Sequence, residues 1–235
     1  MRIAATHREV SIYSRTCAAR ILCFLLPILA PHGIQGSRDR QFVCPSLVSA
    51  TDIPYPPNTT ASGVVTFLLT IGTEGQIDGV QVERDTPPLT EVAQSAIQNW
   101  TFKAATLDRR PVPSQMEVNI VFNPFNPGGI GTTTFSLPPT QSGVPTAQPF
   151  LPARIDSGSF ASYPARSISW GTVVLDLTVG KTGNVGNVVL ARGVASLTRE
   201  AMNAVETWRF RPATFQGQPI HSKTVVAFVF QRSMS

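Results

Sequence analysis

Hydrophobic positions along this chain change period in a fixed order, and the order occurs twice. Gly63-Val64-Val65-Thr66-Phe67-Leu68-Leu69-Thr70-Ile71 and Thr172-Val173-Val174-Leu175-Asp176-Leu177-Thr178-Val179 have the composition of strands. In the second run Val173, Leu175, Leu177 and Val179 alternate with Val174, Asp176 and Thr178, the period of two that one buried sheet face requires. Each run ends at a polar stretch, Thr73-Glu74-Gly75-Gln76 or Lys181-Thr182-Gly183-Asn184. Glycine there suits a turn position with positive φ, so a hairpin returns through 77–84 or 185–192. The period then lengthens. Leu89, Ala93, Ala96, Ile97 and Trp100 share one helical face, and Leu197, Ala201, Ala204, Val205 and Trp208 repeat it. The small alanines let such a helix lie close on a sheet. A last strand is predicted over 114–122 and 222–230, with Val226, Phe228 and Phe230 on one face.

The two series are copies. Tyr55-Pro56 recurs as Tyr163-Pro164, and an offset of 108 residues then holds without a gap to Phe122 and Phe230. Gly63 matches Gly171, Leu89-Thr90 matches Leu197-Thr198, and Trp100-Thr101-Phe102 matches Trp208-Arg209-Phe210. About a third of the aligned positions are identical, in a unit too large for a solenoid repeat. The predicted class is α+β: two tandem ββαβ domains, each a three-stranded antiparallel sheet with a helix packed on one face, over 53–123 and 155–235. Residues 124–154, rich in Pro, Gly and Thr and uncharged until Arg154, read as a linker with extended stretches, and 37–52 as a shorter lead-in.

Charge alters the picture at the N-terminus. The net charge of +5 and pI near 9.6 invite a nucleic-acid partner. Yet Arg2, Arg8, Arg15 and Arg20 face only Glu9 within the first twenty residues, and Ile21-Leu22-Cys23-Phe24-Leu25-Leu26-Pro27-Ile28-Leu29-Ala30 follows. That is the pattern of an export signal, 1–36, with cleavage after Gly36. The alternative is a short retained anchor through 21–34, although Pro27 and Pro31 interrupt it. Removal of 1–36 leaves a net charge of +2, so nucleic acid is not the expected partner. It also leaves Cys44 as the only cysteine, with no intramolecular disulfide to form, and His221 as the only histidine. The copies divide what charge remains: 50–123 sum to −4 and 155–235 to +4, which raises docking of one on the other.

Candidate chemistry is sparse. His221 has no nucleophile or carboxylate placed beside it by pattern and no counterpart in the first copy, where Pro113 stands. One His and one Cys cannot fill a four-ligand metal site. Gly128-Gly129-Ile130-Gly131 lacks the Lys-Ser/Thr and the flanking strand and helix of a phosphate loop. No enzyme, cofactor or metal is expected. Trp100 and Trp208 close apolar helix faces and read as core. Arg209 and Arg211 suit the end of a helix, and the Tyr-Pro pairs read as domain starts that pack on the sheet.

The order Tyr-Pro, Gly-x-Val, a glycine turn, Leu-Thr, an Ala-rich helix and Trp-x-Phe resembles the C-terminal domain of TonB-type energy transducers. The second copy carries more of the pattern, with Trp208-Arg209-Phe210-Arg211-Pro212-Ala213-Thr214 and Gly217-Gln218-Pro219-Ile220, where the first has Lys103-Ala104-Ala105 and Arg109-Arg110-Pro111. The resemblance implies a periplasmic module that binds a short extended peptide of an outer-membrane transporter, or of another envelope protein, against an exposed strand edge. It supports transport across the outer membrane, with inner-membrane association if 21–34 is retained. The implied pairing edges are Glu117, Val118, Asn119, Ile120, Val121 and Phe122, and Val225, Val226, Ala227, Phe228, Val229 and Phe230. The rival reading is an envelope structural module that uses the same edges for self-association, as a homodimer.

Overall fold

The computed structural model describes residues 40–57, 59–123, 133–138, 149–164 and 167–231; the expected export signal lies outside them. The first copy runs β1 (Phe42–Val43), β2 (Ser46–Ser49), β3 (Gly63–Ile71), β4 (Ile77–Arg84), α1 (Leu89–Ile97), β5 (Thr101–Lys103), β6 (Ala105–Leu107), β7 (Arg110–Val112) and β8 (Ser114–Asn123). After β9 (Thr134–Ser136), the second runs β10 (Phe150–Leu151), β11 (Arg154–Ser159), β12 (Gly171–Val179), β13 (Val185–Arg192), α2 (Thr198–Glu206), β14 (Arg209–Arg211), β15 (Thr214–Phe215), β16 (Gln218–Pro219) and β17 (Ser222–Phe230).

The class is α+β, as expected, but each copy sets three short strands between its helix and its last long strand, and the expected three-stranded sheets are not separate. One six-stranded sheet runs β13-β12-β17-β8-β3-β4. Its central pair, β17 and β8, is parallel, with Val225 opposite Val118 through Phe230 opposite Asn123. The other neighbours are antiparallel. The physical reason lies in the strand composition. Val225-Val226-Ala227-Phe228-Val229-Phe230 is apolar on both faces, as a strand buried on both faces must be.

The register of that pair is one residue short of the repeat offset, so equivalent residues point to opposite faces. The two helices therefore lie on opposite sides of the sheet. Leu89, Ala93, Ile97 and Trp100 pack with Val65, Phe67, Leu69, Val118, Ile120 and Phe122, and reach across to Val225, Ala227 and Val229. Leu197, Ala201, Val205 and Trp208 pack with Val173, Leu175, Leu177, Val226, Phe228 and Phe230, and reach Val121 and Val64. Each core is thus built from both copies.

The shared motifs have local causes. Gly75 and Gly183 have φ of +88° and +84°, and a Cβ at either would run into the Phe102 or Phe210 carbonyl oxygen. The Leu-Thr pair opens each helix: the leucine is buried, and the threonine hydroxyl accepts from the backbone N–H of Thr86 (2.9 Å) or Val194 (3.1 Å). The tyrosines of both Tyr-Pro pairs pack edge-on against the end of the last strand, Tyr55 on Phe122 and Tyr163 on Phe230.

Two stretches read as connectors carry more order than their composition suggests. The lead-in supplies β1 and β2, which pair with β6 and β5. Part of the 124–154 segment supplies β9 and β10 and the start of β11, and β10 and β11 pair with β15 and β14. The 108-residue frame extends into them, since Phe42 and Phe150 are equivalent, and the two rings meet at a tilt of 36° with centroids 4.6 Å apart. Short strands with few apolar residues leave no periodicity to read.

Gly158 in β11 lies under the Trp208 ring, where a Cβ would come within 2.7 Å of the indole. Gly158→Ala is expected to destabilise by about 1–3 kcal/mol through overpacking, read by urea unfolding. Trp208 Nε1 donates to the Ser159 carbonyl (3.1 Å); the first copy has Ala50 at the glycine position, and among the described residues Trp100 Nε1 has no hydrogen-bond partner.

Candidate functional site

The residues expected to form the pairing edges are brought together, but not as edges. β8 lies between β3 and β17, and β17 between β8 and β12. Glu117 through Phe122 and Val225 through Phe230 are all buried. The expected free edges are therefore corrected: the two strands occupy each other, because β17 has a second apolar face that a peptide alone would leave wet.

The sheet ends instead at β4 and β13, and these differ. β4 carries Asp78, Glu83 and Arg84, and Arg84 Nη2 donates to the Pro138 carbonyl (3.3 Å). Charge and a covering segment are the usual protections of an edge. β13 has no charged residue from Val185 to Ala191, and Val189 and Leu190 are exposed. Among the described residues, β13 pairs within the sheet with β12 alone.

Beside the central pair lies a buried polar cluster that sequence reading did not assemble. Glu117 and Glu83 have side chains 1% exposed, and Arg154 Nη1 stands between them, 3.3 Å from Glu83 Oε2 and 3.6 Å from Glu117 Oε2. Glu117 Oε1 accepts from Asn119 Nδ2 (2.9 Å) and from the Ile155 N–H (2.7 Å). Thr66 Oγ1 donates to Asn119 Oδ1 (2.9 Å), and Thr224 Oγ1 to the Glu117 carbonyl (2.8 Å). Burial raises the Glu117 carboxyl above its ordinary range. The bonds from Asn119 and Ile155 and the Arg154 charge pull it down, and Glu83 adds to the rise. The sequence held one signal for this cluster. Glu117 and Asn119 stand where the second copy has Val225 and Ala227, so one sheet face is polar in one copy only. The cluster docks β11 of the second copy on β8 of the first. With Arg192 and Asp52 (3.4 Å), it places the opposite charges of the two halves across their junction.

The remaining candidates have structural surroundings. Trp100 and Trp208 are buried core. Arg211 Nε donates to Asp156 Oδ1 (2.9 Å), and Arg209 Nη1 to the Trp208 carbonyl (2.9 Å). Burial pushes the Cys44 thiol up to about 11, which leaves it protonated, and its Sγ donates to the His221 carbonyl (3.6 Å). Among the described residues, no three His, Cys, Asp or Glu side chains converge as metal ligands. No helix among them is long and apolar enough to cross a membrane.

No curated protein and no solved structure matches the chain. Residues 55–124 and 162–231 each match the family described as Gram-negative bacterial TonB protein C-terminal. The matched segments take up more than half of the sequence and coincide with the two copies whose last strands meet at the centre of the sheet. The chain belongs to the TonB C-terminal family, and carries its domain twice.

Proposed function

We propose that this TonB-like envelope protein is an exported, peptide-binding module in the periplasm, and that it takes an extended segment of another envelope protein by strand addition on β13. The observation that carries the reading is the contrast between the two ends of the sheet: β4 carries Asp78, Glu83 and Arg84 and is bonded through Arg84 to the Pro138 carbonyl, whereas β13 is uncharged from Val185 to Ala191 and exposes Val189 and Leu190. Main-chain bonds supply affinity, and alternate side chains supply register. An outer-membrane transporter is the partner that the family favours, with the module supporting energy-coupled transport. The role is binding, with no catalytic step. The same edge serves the second reading, self-association. What favours that reading is the β8–β17 pair, where the two copies already associate strand to strand.

The test is amide chemical-shift mapping with an extended transporter N-terminal peptide. Shifts clustered on 185–192, with 118–123 and 225–230 unmoved, are the expected result. Shifts centred on 225–230 would place binding at an opened central pair and overturn the β13 assignment. Peptide-independent shifts on 185–192 that grow with protein concentration would establish self-association instead.

A further inference from the structure

We infer that the tip of the β6–β7 hairpin is a docking point for an acidic segment of a partner protein, held by Arg40, Arg109 and Arg110. The backbone brings the three together. The Gln41 N–H donates to Asp108 Oδ1 (3.0 Å) and the Asp108 N–H to the Gln41 carbonyl (2.9 Å), one step beyond the pairing of Phe42 with Leu107. Continued by one more residue, that pairing sets Arg40 beside Arg109, and Leu107 pairs in turn with Arg110. All three arginines are exposed, and among the described residues none of them has an ion-pair partner. Asp108, the carboxylate of the turn, accepts from the Gln41 backbone instead.

The second copy supplies an internal control, because it builds the same hairpin without these charges. Its turn residues Gln216 and Gly217 have φ of +52° and +78°, against +52° and +66° for Asp108 and Arg109. The Gln216 N–H donates to the Pro149 carbonyl (2.6 Å), the counterpart of the bond from Asp108 to Gln41. Where the first copy has Arg40, Arg109 and Arg110, the second has Gln148, Gly217 and Gln218. The turn therefore calls for no charge, and a φ of this sign favours glycine. The first copy instead sets an arginine in the left-handed position, with two more arginines at its side whose like charges repel it. Packing gains nothing in return, since a Cβ at Gly217 would meet no atom within 4 Å. Strain and repulsion gathered on one exposed turn, and absent from its twin, point to a ligand that uses the three guanidinium groups together.

Charge decides the kind of partner. Guanidinium groups present a planar fork of donors that carboxylates engage two bonds at a time. The patch, however, belongs to the copy whose residues 50–123 sum to −4. A broad anionic surface such as a membrane would meet that acidic body along with the tip, and be repelled by it. A narrow acidic segment reaches the tip alone. The contact rests on residues of the first copy and its lead-in, and stands whether or not the β13 edge binds peptide.

The probe is a fluorescein-labelled hexaglutamate peptide, titrated with the full chain at low salt. Its anisotropy is expected to rise to saturation, to fall back as salt is added, and to stay flat for a labelled hexalysine. Amide shifts should cluster on 40–42 and 107–111. Arg109→Gly together with Arg110→Gln adopts the second copy's residues, in a turn that the second copy shows to accept them. The double variant is expected to bind hexaglutamate about tenfold or more weakly. Its urea midpoint should match or exceed that of the wild type, because glycine relieves the turn. Binding lost while stability is kept is the result that a purely structural role for Arg109 does not give. Equal affinity of the double variant would overturn the inference, as would shifts centred on Lys181 and Arg209 of the second copy. Co-sedimentation with phosphatidylglycerol vesicles that the double variant loses, with 40–42 and 107–111 unmoved by hexaglutamate, would make a lipid the occupant and overturn it too.

Discussion

Phe228→Ala is expected to unfold both halves of the molecule in one transition, with a loss of about 3–5 kcal/mol. Phe228 is fully buried, with its ring centroid 5.6 Å from that of Trp208 on the α2 side of the sheet. A tandem pair of independent domains would confine the damage to the second copy. Here β17 belongs to both cores, because Val225, Ala227 and Val229 on its other face pack with α1 and Trp100. The measurement is urea unfolding followed by Trp100 emission in one variant and Trp208 emission in another, with the other tryptophans replaced by phenylalanine. Coincident curves that shift together are expected. A Trp100 curve that stays in place when Phe228 is cut back would mean that the halves fold separately.

The second large effect comes from the buried charges. Arg154→Met leaves Glu83 and Glu117 without their shared cation, in a site where both carboxylates are shielded from water. Removing one partner of such a cluster is expected to cost about 3–5 kcal/mol at neutral pH, and the cost should shrink in acid as Glu117 takes up a proton. The intact protein has a smaller dependence of the same sign. Burial raises the Glu117 carboxyl above its ordinary value of 4.5, so the folded state holds this proton more tightly than the unfolded chain does. The contribution of this group to stability is complete below about pH 4.5 and is lost as pH rises through the folded value. Glu117→Gln should flatten that part of the stability profile. Urea midpoints across a pH series check both statements; a wild-type profile that rises with pH by the same amount as that of Glu117→Gln would refute the assignment to Glu117.

How much of this was legible in the sequence depends on the range of the interaction concerned. Hairpins, helices and last strands follow from local rules. Gly75 and Gly183 turn where a Cβ is forbidden, and the Trp100 and Trp208 stripes face the sheet. The joining of the copies does not follow from local rules, because it pairs residues about a hundred positions apart. One local trace of it exists. Val225 through Phe230 has no polar position on either face, a pattern that belongs to a central strand and not to an exposed edge. Reading only Val226, Phe228 and Phe230 as the buried face missed Val225, Ala227 and Val229 beside them. The Glu117 cluster was hidden for a related reason: Arg154 sits in a segment that composition marks as linker, and the contact that gives it meaning is tertiary. β1, β2, β10 and β11 were hidden by their length, since two to six residues hold too little alternation to stand out.

The parallel central pair also bears on stoichiometry. Two identical chains joined through a two-fold axis would offer two identical sheet ends, and any such dimer would be bivalent. Here the partners are covalent neighbours, so each end can take its own sequence. β4 has Asp78, Glu83 and Arg84 where β13 has Gly186, Ala191 and Arg192. A duplicated chain of this kind can close one end and keep the other, and so take up a single partner molecule where a symmetric pair would cross-link two.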